Sequence, residues 1–345
     1  MERLPGQDEE RAAPVDESFL AALGVHRVPV PVPFLEAGGP VNVYALADEG
    51  GGWTLFDCGV GTDEGLAAVR AGAAERGVDL KRVNRIIVSH GHVDHYGNAQ
   101  TLSEECGARI FVHADDLEKV CGDGRWFRQL EQHWDYYLRL GLPEPTLTQM
   151  LEGTKRARNY ARQVDRDKVS LLEPGQTLRF ERFEARVLHL PGHTPGLVCL
   201  YAEPQKLLFA DDHLLARVSP NPLLDLTLGE GDTKFRALDE YLKSARAVYE
   251  LDLDCVLPGH GPGFTGHRAL LDGLFDFYQR RQAKLVAHLE QGPATVFELL
   301  AAIFPRHDVP RLYLMLSEVL GNLEVLETQG RVRREAEGAF RFGLA

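Results

Sequence analysis

The chain has 345 residues, of which 44% are apolar and 26% are charged, and its net charge at pH 7 is −13. This length predicts one large domain, or a large domain with a small appendage, and the apolar fraction excludes a disordered chain. The acidic balance argues against a protein built mainly to bind phosphate backbones. The five cysteines are widely spaced and form no CxxC, which favours free thiols over a disulfide framework or a cysteine zinc site.

The N-terminal sequence up to residue 18 is polar and acidic, and it predicts a flexible tail without the apolar centre of a signal peptide. No stretch approaches the roughly 20 apolar residues that a membrane-spanning helix needs. We therefore expect a cytoplasmic protein that does not enter a membrane.

The predicted elements alternate between strands and helices up to residue 113. They are a hairpin over 41–47 and 53–59, a helix after the N-cap Thr62, a buried strand over 85–89, a helix over about 97–106 and a strand over 108–113. Residues 115–167 are instead helix-forming throughout, yet they contain Trp126, Trp134 and Tyr137. These aromatic residues either pack the helices together or line a substrate pocket beneath a helical cap.

Strand patterns return after residue 175 and are followed by helices. The strands are predicted at 176–180, 184–190, 197–202, 206–212 and from 254, and the helices at about 234–250 and 265–290. After a break at 291–293, helices over 296–303 and about 309–328 precede a basic and aromatic hairpin. We therefore predict a tail over 1–18, a main domain over 19–290 with a helical insertion at 115–167, and a small winged-helix-like domain over 291–345.

Four segments rich in metal-binding side chains each follow a strand pattern. They are HGHVDH (90–95), LPGHTPG (190–196), FADDH (209–213) and LPGHG (257–261). Loops at strand ends allow a rigid sheet to hold side chains in fixed positions. In HGHVDH, four such groups after an apolar strand would repel one another or lack partners unless a cation joined them. Imidazole suits zinc and similar ions, and a carboxylate suits a bridging position, so the sequence predicts a metal site.

HGHVDH resembles the HxHxDH signature of the metallo-β-lactamase superfamily. The segments LFDCG, PGHTPG, ADD and PGHG resemble the other motifs of that superfamily and occur in the same order, over about residues 25–265. The resemblance implies an α/β (α+β) fold of the αββα type, in which two mixed sheets pack face to face and helices cover both outer faces. It also implies a site for two divalent metal ions at one edge of this sandwich.

The resemblance further implies which residues hold the two ions. His90, His92 and His193 would bind the first ion, Asp94, His95 and His260 the second, and Asp212 would bridge them. The superfamily motif has Gly-Asp where this chain has Asp211-Asp212, so Asp211 is the alternative bridge. Asp57 would lie behind the ligands and orient one of them, and His213 would support a ligand, face the substrate or be structural. Zinc is the expected metal, although histidine and aspartate also accept manganese or iron.

Such a site predicts a hydrolase. Two ions can share a water and lower its pKa, so that the resulting hydroxide attacks the substrate, while Asp94 orients the nucleophile or carries a proton. The sequence contains no GxSxG, P-loop or GxGxxG after a strand that would support another chemistry. The first hypothesis is therefore hydrolysis of an ester, thioester or lactone bond in a small acyl substrate, similar to the glyoxalase II and lactonase branches.

The second hypothesis is a phosphodiesterase or ribonuclease, because the C-terminal segment resembles that of the small endoribonuclease branch. The charge of this segment opposes that hypothesis: residues 292–345 contain six arginines, no lysine and seven acidic residues. A nucleic-acid-binding module would normally be clearly basic. We therefore expect a small-molecule substrate rather than nucleic acid. For the C-terminal segment we expect either a structural or a dimerising role, and a dimerising role would make the protein a homodimer.

Overall fold

The computed structural model describes residues 15–33, 39–122, 124–229, 234–306, 308–335 and 337–345. Most of the predicted tail, residues 1–14, lies outside the described residues. Helix α1 (Glu17–Ala22) begins before residue 18, where we expected the tail to end, and the side chain of Asp16 caps it by accepting the N–H of Ser18 at 2.8 Å. Val15 is also held in place, because its N–H donates to the carbonyl of Gly263 at 3.2 Å.

The first sheet contains six strands, which lie side by side in chain order. They are β1 (Val25–Val30), β2 (Val41–Ala47), β3 (Trp53–Phe56), β4 (Val83–Ile87), β5 (Arg109–Val112) and β6 (Val169–Leu171). Strands β1 to β3 pair antiparallel, and β3 to β6 pair parallel. The sequence did not predict β1 or β6. Strand β1 contains Pro29, which has no N–H to donate and is tolerated because β1 lies at the edge of the sheet.

The second sheet contains five strands in the order β11-β10-β9-β8-β7. They are β7 (Thr177–Arg179), β8 (Glu184–His189), β9 (Val198–Ala202), β10 (Leu207–Asp211) and β11 (Cys255–Pro258). Strands β10 and β11 pair parallel, and the other neighbours pair antiparallel. The sequence predicted a strand at each of these five positions.

The two sheets pack face to face between two outer layers of helices. Tyr44 and Phe56 of the first sheet share a buried apolar cluster with Val187, Leu200 and Phe209 of the second. The main covering helices are α2 (Asp63–Glu75) and α4 (Ala99–Cys106) on the first sheet, and α9 (Ala237–Tyr249) and α10 (His267–Leu289) on the second. This arrangement is the αββα sandwich that the sequence predicted.

Helix α5 (Leu117–Cys121) packs on the first sheet through Val120. The three helices that follow it pack together with the C-terminal segment. These elements are α6 (Arg125–Gln132), α7 (Trp134–Arg139), α8 (Glu144–Ala157), α11 (Val296–Ile303), α12 (Val309–Thr328), β12 (Ala294–Thr295), β13 (Val332–Glu335) and β14 (Arg341–Leu344). One apolar cluster joins Tyr137 and Leu147 to Leu316 and Phe342. Residues 291–345 therefore share a core with the insertion, and their assignment as a winged-helix domain stays a prediction. Across the described ranges, no helix is long and apolar enough to cross a bilayer.

Candidate metal centre and active site

The four predicted ligand segments meet at one edge of the sandwich. HGHVDH follows β4 of the first sheet and continues into the short helix α3 (Val93–Tyr96), whereas the other three segments lie at the C-terminal ends of β8, β10 and β11 of the second sheet. Main-chain hydrogen bonds join the two sheets here: Val198 N–H donates to Ser89 O at 2.9 Å, and Asn42 N–H donates to Gly259 O at 2.7 Å. The side chain of Asn42 also donates to Pro258 O and Gly261 O, at 2.8 and 2.7 Å. These bonds fix the distance between the ligand loops.

A hydrogen bond from the Nδ1 atom fixes the orientation of four of the five candidate ligand histidines. His95 Nδ1 donates to Asp57 Oδ2 at 2.8 Å, and His90 Nδ1 lies 2.9 Å from Ser89 Oγ. His193 Nδ1 and His260 Nδ1 lie 3.2 and 3.1 Å from the carbonyl oxygens of Pro220 and Gly39. With the proton on Nδ1, each of these rings presents the lone pair of Nε2 to the site. Such outer hydrogen bonds are typical of histidines that bind metal.

The first group of ligand atoms brings three imidazole nitrogens together. His92 Nδ1 lies 3.0 Å from both His90 Nε2 and His193 Nε2. Burial, and then the neighbouring imidazoles, lower the pKa of His90 and His92 well below the usual value, so both rings are neutral. Converging neutral lone pairs repel one another, and a cation at their centre removes that repulsion. These three residues could hold a metal ion.

The second group combines one carboxylate with two imidazoles. Asp94 Oδ2 lies 3.4 Å from His260 Nε2 and 3.8 Å from His95 Nε2. Among the described residues, His95 Nε2 is buried without a hydrogen-bond partner, as is Oδ1 of Asp212. Unpaired buried polar atoms of this kind are costly unless a ligand satisfies them. Asp94, His95 and His260 therefore fit a second metal ion.

Asp212 lies between the two groups. Its Oδ2 atom is 3.4 Å from His193 Nε2, 3.6 Å from His95 Nε2 and 3.7 Å from His260 Nε2. Burial would raise the pKa of Asp212, but His260 and His95 lower it well below its usual value. Gly259 is required beside this carboxylate, because a Cβ atom at that position would overlap Asp212 Oδ1.

Asp57 and Asp211 lie behind the rings rather than at the ligand atoms. Asp211 Oδ1 lies 3.3 Å from His90 Nδ1 and 3.2 Å from His95 Nδ1. Asp57 accepts hydrogen bonds from the N–H and hydroxyl of Ser89 at 2.7 and 2.9 Å. Both aspartates have left-handed backbone, with φ of 61° and 47°. Such strain costs on the order of 1–3 kcal/mol and is usually found at functional sites.

A buried aspartate that the sequence analysis did not single out ties two of the ligand loops together. Asp116 Oδ2 accepts the N–H of Gly91 at 2.8 Å and the hydroxyl of Thr194 at 2.6 Å, and its Oδ1 accepts the N–H of Gly196 at 3.2 Å. The ammonium of Lys119, itself buried, lies 2.8 Å from both Asp116 Oδ1 and Asp225 Oδ2. No spacing in the sequence signals this role, since the partners are distant in the chain.

A cavity of about 490 Å³ opens above the two groups of ligand atoms. Its walls come mainly from α6, α8, the loop after β10 and the first turns of α12, including Trp126, Leu130, Met150 and Leu314. The lining is predominantly apolar. The insertion thus covers the site, and α12 of the C-terminal segment contributes a wall that the sequence did not predict.

Of the three aromatic residues considered for substrate binding, only Trp126 lines this cavity. Trp134 and Tyr137 pack in the apolar cluster shared with the C-terminal segment, because α7 faces that cluster. His213 is also absent from the cavity wall: it is buried with its ring centroid 5.2 Å from that of Tyr241. Burial lowers the pKa of His213 to about 3, so its ring is neutral.

Comparisons with known proteins agree with this geometry. Residues 37–260 match the model of the metallo-beta-lactamase superfamily. The chain is 30% identical over 310 residues to the probable metallo-hydrolase YqjP of Bacillus subtilis, covering 90% of this chain and 94% of that protein. A more distant relative is the atrochrysone carboxyl ACP thioesterase of Aspergillus fumigatus, which is 23% identical over 277 residues, or 77% of this chain and 68% of that protein.

The fold is also similar to that of a solved structure. The metallo-beta-lactamase family protein TTHA1429 of Thermus thermophilus superposes with a TM-score of 0.78 at 30% identity, over 93% of this chain and 99% of that chain. The sandwich, the converging histidine and aspartate side chains and these similarities lead to one conclusion. The chain belongs to the metallo-β-lactamase superfamily of metal-dependent hydrolases.

Proposed function

We propose that this protein is a two-metal hydrolase that cleaves the ester, thioester or lactone bond of a small acyl substrate. One observation carries the proposal: Asp212 Oδ2 lies between two groups of ligand atoms, within 3.4 to 3.7 Å of a histidine of the first group and two of the second. An apolar cavity opens directly above these groups. A carboxylate between two groups of ligand atoms, beneath a cavity of this size, fits two-metal hydrolysis of a small substrate.

The proposed ligand sets follow from the side chains that converge. His90, His92 and His193 would hold one ion, Asp94, His95 and His260 the other, and Asp212 would contact both. Zinc is the proposed metal, since imidazole nitrogen predominates among these ligands. When bound, a pair of divalent ions lowers the pKa of a water and polarises the oxygen of the substrate carbonyl.

Asp94 is the proposed catalytic residue, because it lines the cavity as well as contacting the second group. Burial would raise the pKa of this carboxyl, but His95 and then His260 lower it. Asp94 therefore stays ionised at neutral pH. An ionised carboxylate at this position can orient a water towards the substrate, accept a proton from that water and then pass this proton to the leaving group.

The walls of the cavity support an acyl substrate over a phosphodiester. Leu130, Met150, Leu223 and Leu314 offer an apolar surface to an acyl chain. A phosphodiester substrate would instead favour several cationic side chains around its phosphates. The distant relative from Aspergillus fumigatus is named as a thioesterase, which also supports this substrate class.

A substrate panel with and without a chelator tests the proposal. We expect the zinc-loaded protein to hydrolyse thioesters, lactones or aryl esters in preference to bis-aryl phosphodiesters, and a chelator to abolish that activity. The Asp94→Asn variant should retain the fold, seen by circular dichroism, and lose hydrolysis. Preferential cleavage of the phosphodiester, or an active Asp94→Asn variant, would overturn the proposed substrate class or the proposed role of Asp94, respectively.

A further inference from the structure

The charge of the cavity wall is unusual for this chain. The protein has 51 acidic and 38 basic residues, yet among the described residues the cavity contains no acidic side chain except Asp94 and Asp212. Both of those carboxylates belong to the groups of side chains that could hold a metal ion. Apart from the candidate ligands, the one charged residue in the described lining is Arg156.

Arg156 lies in the last turn of α8 and is exposed to solvent. Its guanidinium forms no hydrogen bond or ion pair with the part of the chain that the structure describes. The adjacent Lys155 differs, because its ammonium lies 3.1 Å from the carboxylate of Glu152. A guanidinium has five N–H donors that match the oxygens of a carboxylate or phosphate, so Arg156 is available to bind an anion.

A simpler explanation is that a cation near the C-terminus of a helix stabilises the helix dipole. Lys155 occupies the same last turn and provides that interaction equally well. The dipole therefore does not explain why Arg156 has no carboxylate partner among the described residues, whereas Lys155 has one. The remaining wall is uncharged and predominantly apolar, and such a wall beside one cation is complementary to an apolar chain that carries an anion.

We propose that Arg156 binds an anionic group of the substrate, a carboxylate or a phosphate, that lies away from the bond to be cleaved. This inference rests on the proposed function. It narrows the substrate class to an acyl ester or thioester with an apolar acyl chain and a negatively charged leaving portion. Neutral esters of the same length are then the poorer substrates.

The test uses inert analogues, so that binding is measured independently of hydrolysis. In S-(2-oxodecyl) thioethers, a methylene separates the sulfur from the carbonyl, and the bond cleaved in a thioester is absent. Three series carry a terminal carboxylate, a phosphate monoester or a neutral primary amide on linkers of increasing length. Calorimetric titration of the zinc-loaded protein gives the Kd of each compound for the wild type, Arg156→Gln and the matched control Lys155→Gln.

We expect at least one anionic series to bind the wild type about threefold or more tightly than the amide of equal length, as for a solvent-exposed ion pair. This preference should disappear in Arg156→Gln, persist in Lys155→Gln and weaken as NaCl rises from about 20 to about 500 mM. The series that shows the larger preference distinguishes carboxylate from phosphate.

Equal binding of anionic and neutral compounds by the wild type would overturn the inference. An unchanged preference in Arg156→Gln, or an equal loss in Lys155→Gln, would overturn it as well, because neither result is consistent with a local site. The substrate panel decides the proposed function separately, since the analogues report binding whether or not the protein hydrolyses the corresponding esters.

Discussion

Asp211 and Asp212 are adjacent in the chain but face opposite sides of the histidine rings. Asp211 Oδ1 contacts the Nδ1 atoms of His90 and His95, whereas Asp212 Oδ2 faces Nε2 atoms. The sequence left both residues open as the bridge, because neighbours in an Asp-Asp pair have the same chemistry. The backbone distinguishes them: the left-handed conformation at Asp211 turns that side chain behind the rings.

Substitution of each aspartate by asparagine separates the two roles. Asparagine tolerates the left-handed backbone at position 211, so the change mainly removes the charge. We expect Asp212→Asn to retain about one zinc ion per chain, and Asp211→Asn to retain about two with lower affinity. Elemental analysis after dialysis measures the zinc content of both variants. Two ions in Asp212→Asn and one in Asp211→Asn would assign the bridge to Asp211.

The protonation of His260 gives the metal-free protein a defined pH dependence. Burial would lower the pKa of this ring, but Asp212 and Asp94 raise it to about 9, from about 6.5 in an unfolded chain. The folded state then binds a proton more tightly than the unfolded state. This proton therefore stabilises the folded state. Its contribution to the free energy of unfolding is complete below about pH 6.5 and is lost as the pH rises towards 9.

We therefore expect the Tm of the chelator-treated wild type to fall between about pH 6.5 and 9. The fall should be smaller in His260→Gln, and also in the zinc-loaded protein, where a metal ion replaces the proton. Thermal melts followed by circular dichroism measure these slopes. The same slope in the wild type and in His260→Gln would show that His260 does not bind this proton.

At the scale of elements, the turn after β5 positions two ligand loops that come from different sheets. Asp116 contacts the main chain at Gly91 and Gly196, and Lys119 holds the carboxylate in place. Sequence reasoning identified the candidate ligands, which the structure brings together, because they form compact motifs. It missed Asp116, because the partners of that residue are brought together only when the two sheets pack.

The variant Asp116→Asn tests whether this aspartate positions the ligand loops. The control is Asp115→Asn, which changes the adjacent, exposed carboxylate. Loss of a supporting hydrogen bond typically reduces metal affinity or activity about 10- to 100-fold. We expect Asp116→Asn to weaken zinc binding about tenfold, measured by competition with a chromogenic chelator. Equal affinities of the two variants would mean that Asp116 does not position the ligands.

The strands differ in whether the sequence alone could predict them. Alternating or continuous apolar runs predicted β2 to β5 and the whole second sheet. Strand β1 was missed because it contains Pro29, and β6 because it has only three residues and follows the helical insertion. Both lie at the edges of the first sheet, where pairing is decided by neighbouring strands rather than by a local pattern.

At the scale of the whole molecule, the C-terminal segment is packed into the protein. Buried Leu316 and Leu320 of α12 belong to the same apolar cluster as Leu147 of α8, and Tyr313 and Leu314 line the active-site cavity. The sequence predicted the two helices and the hairpin of this segment, because each has a clear local pattern. Their packing against the insertion could not be predicted, since no local pattern specifies a partner.

This shared core predicts that the protein unfolds as one unit. We expect differential scanning calorimetry of the zinc-loaded protein to show one transition, because separating residues 291–345 would expose the apolar cluster. Two resolved transitions would instead indicate an independent C-terminal domain.

The central claim is that hydrolysis depends on two metal ions held by the converging histidines and aspartates. Its most direct test is a zinc titration of the metal-free protein in which hydrolysis of a thioester or aryl ester accepted in the panel is recorded at each addition. We predict that activity is absent without zinc and rises to a plateau at about two equivalents per chain. Hydrolysis without metal, or full activity at about one equivalent, would contradict the account.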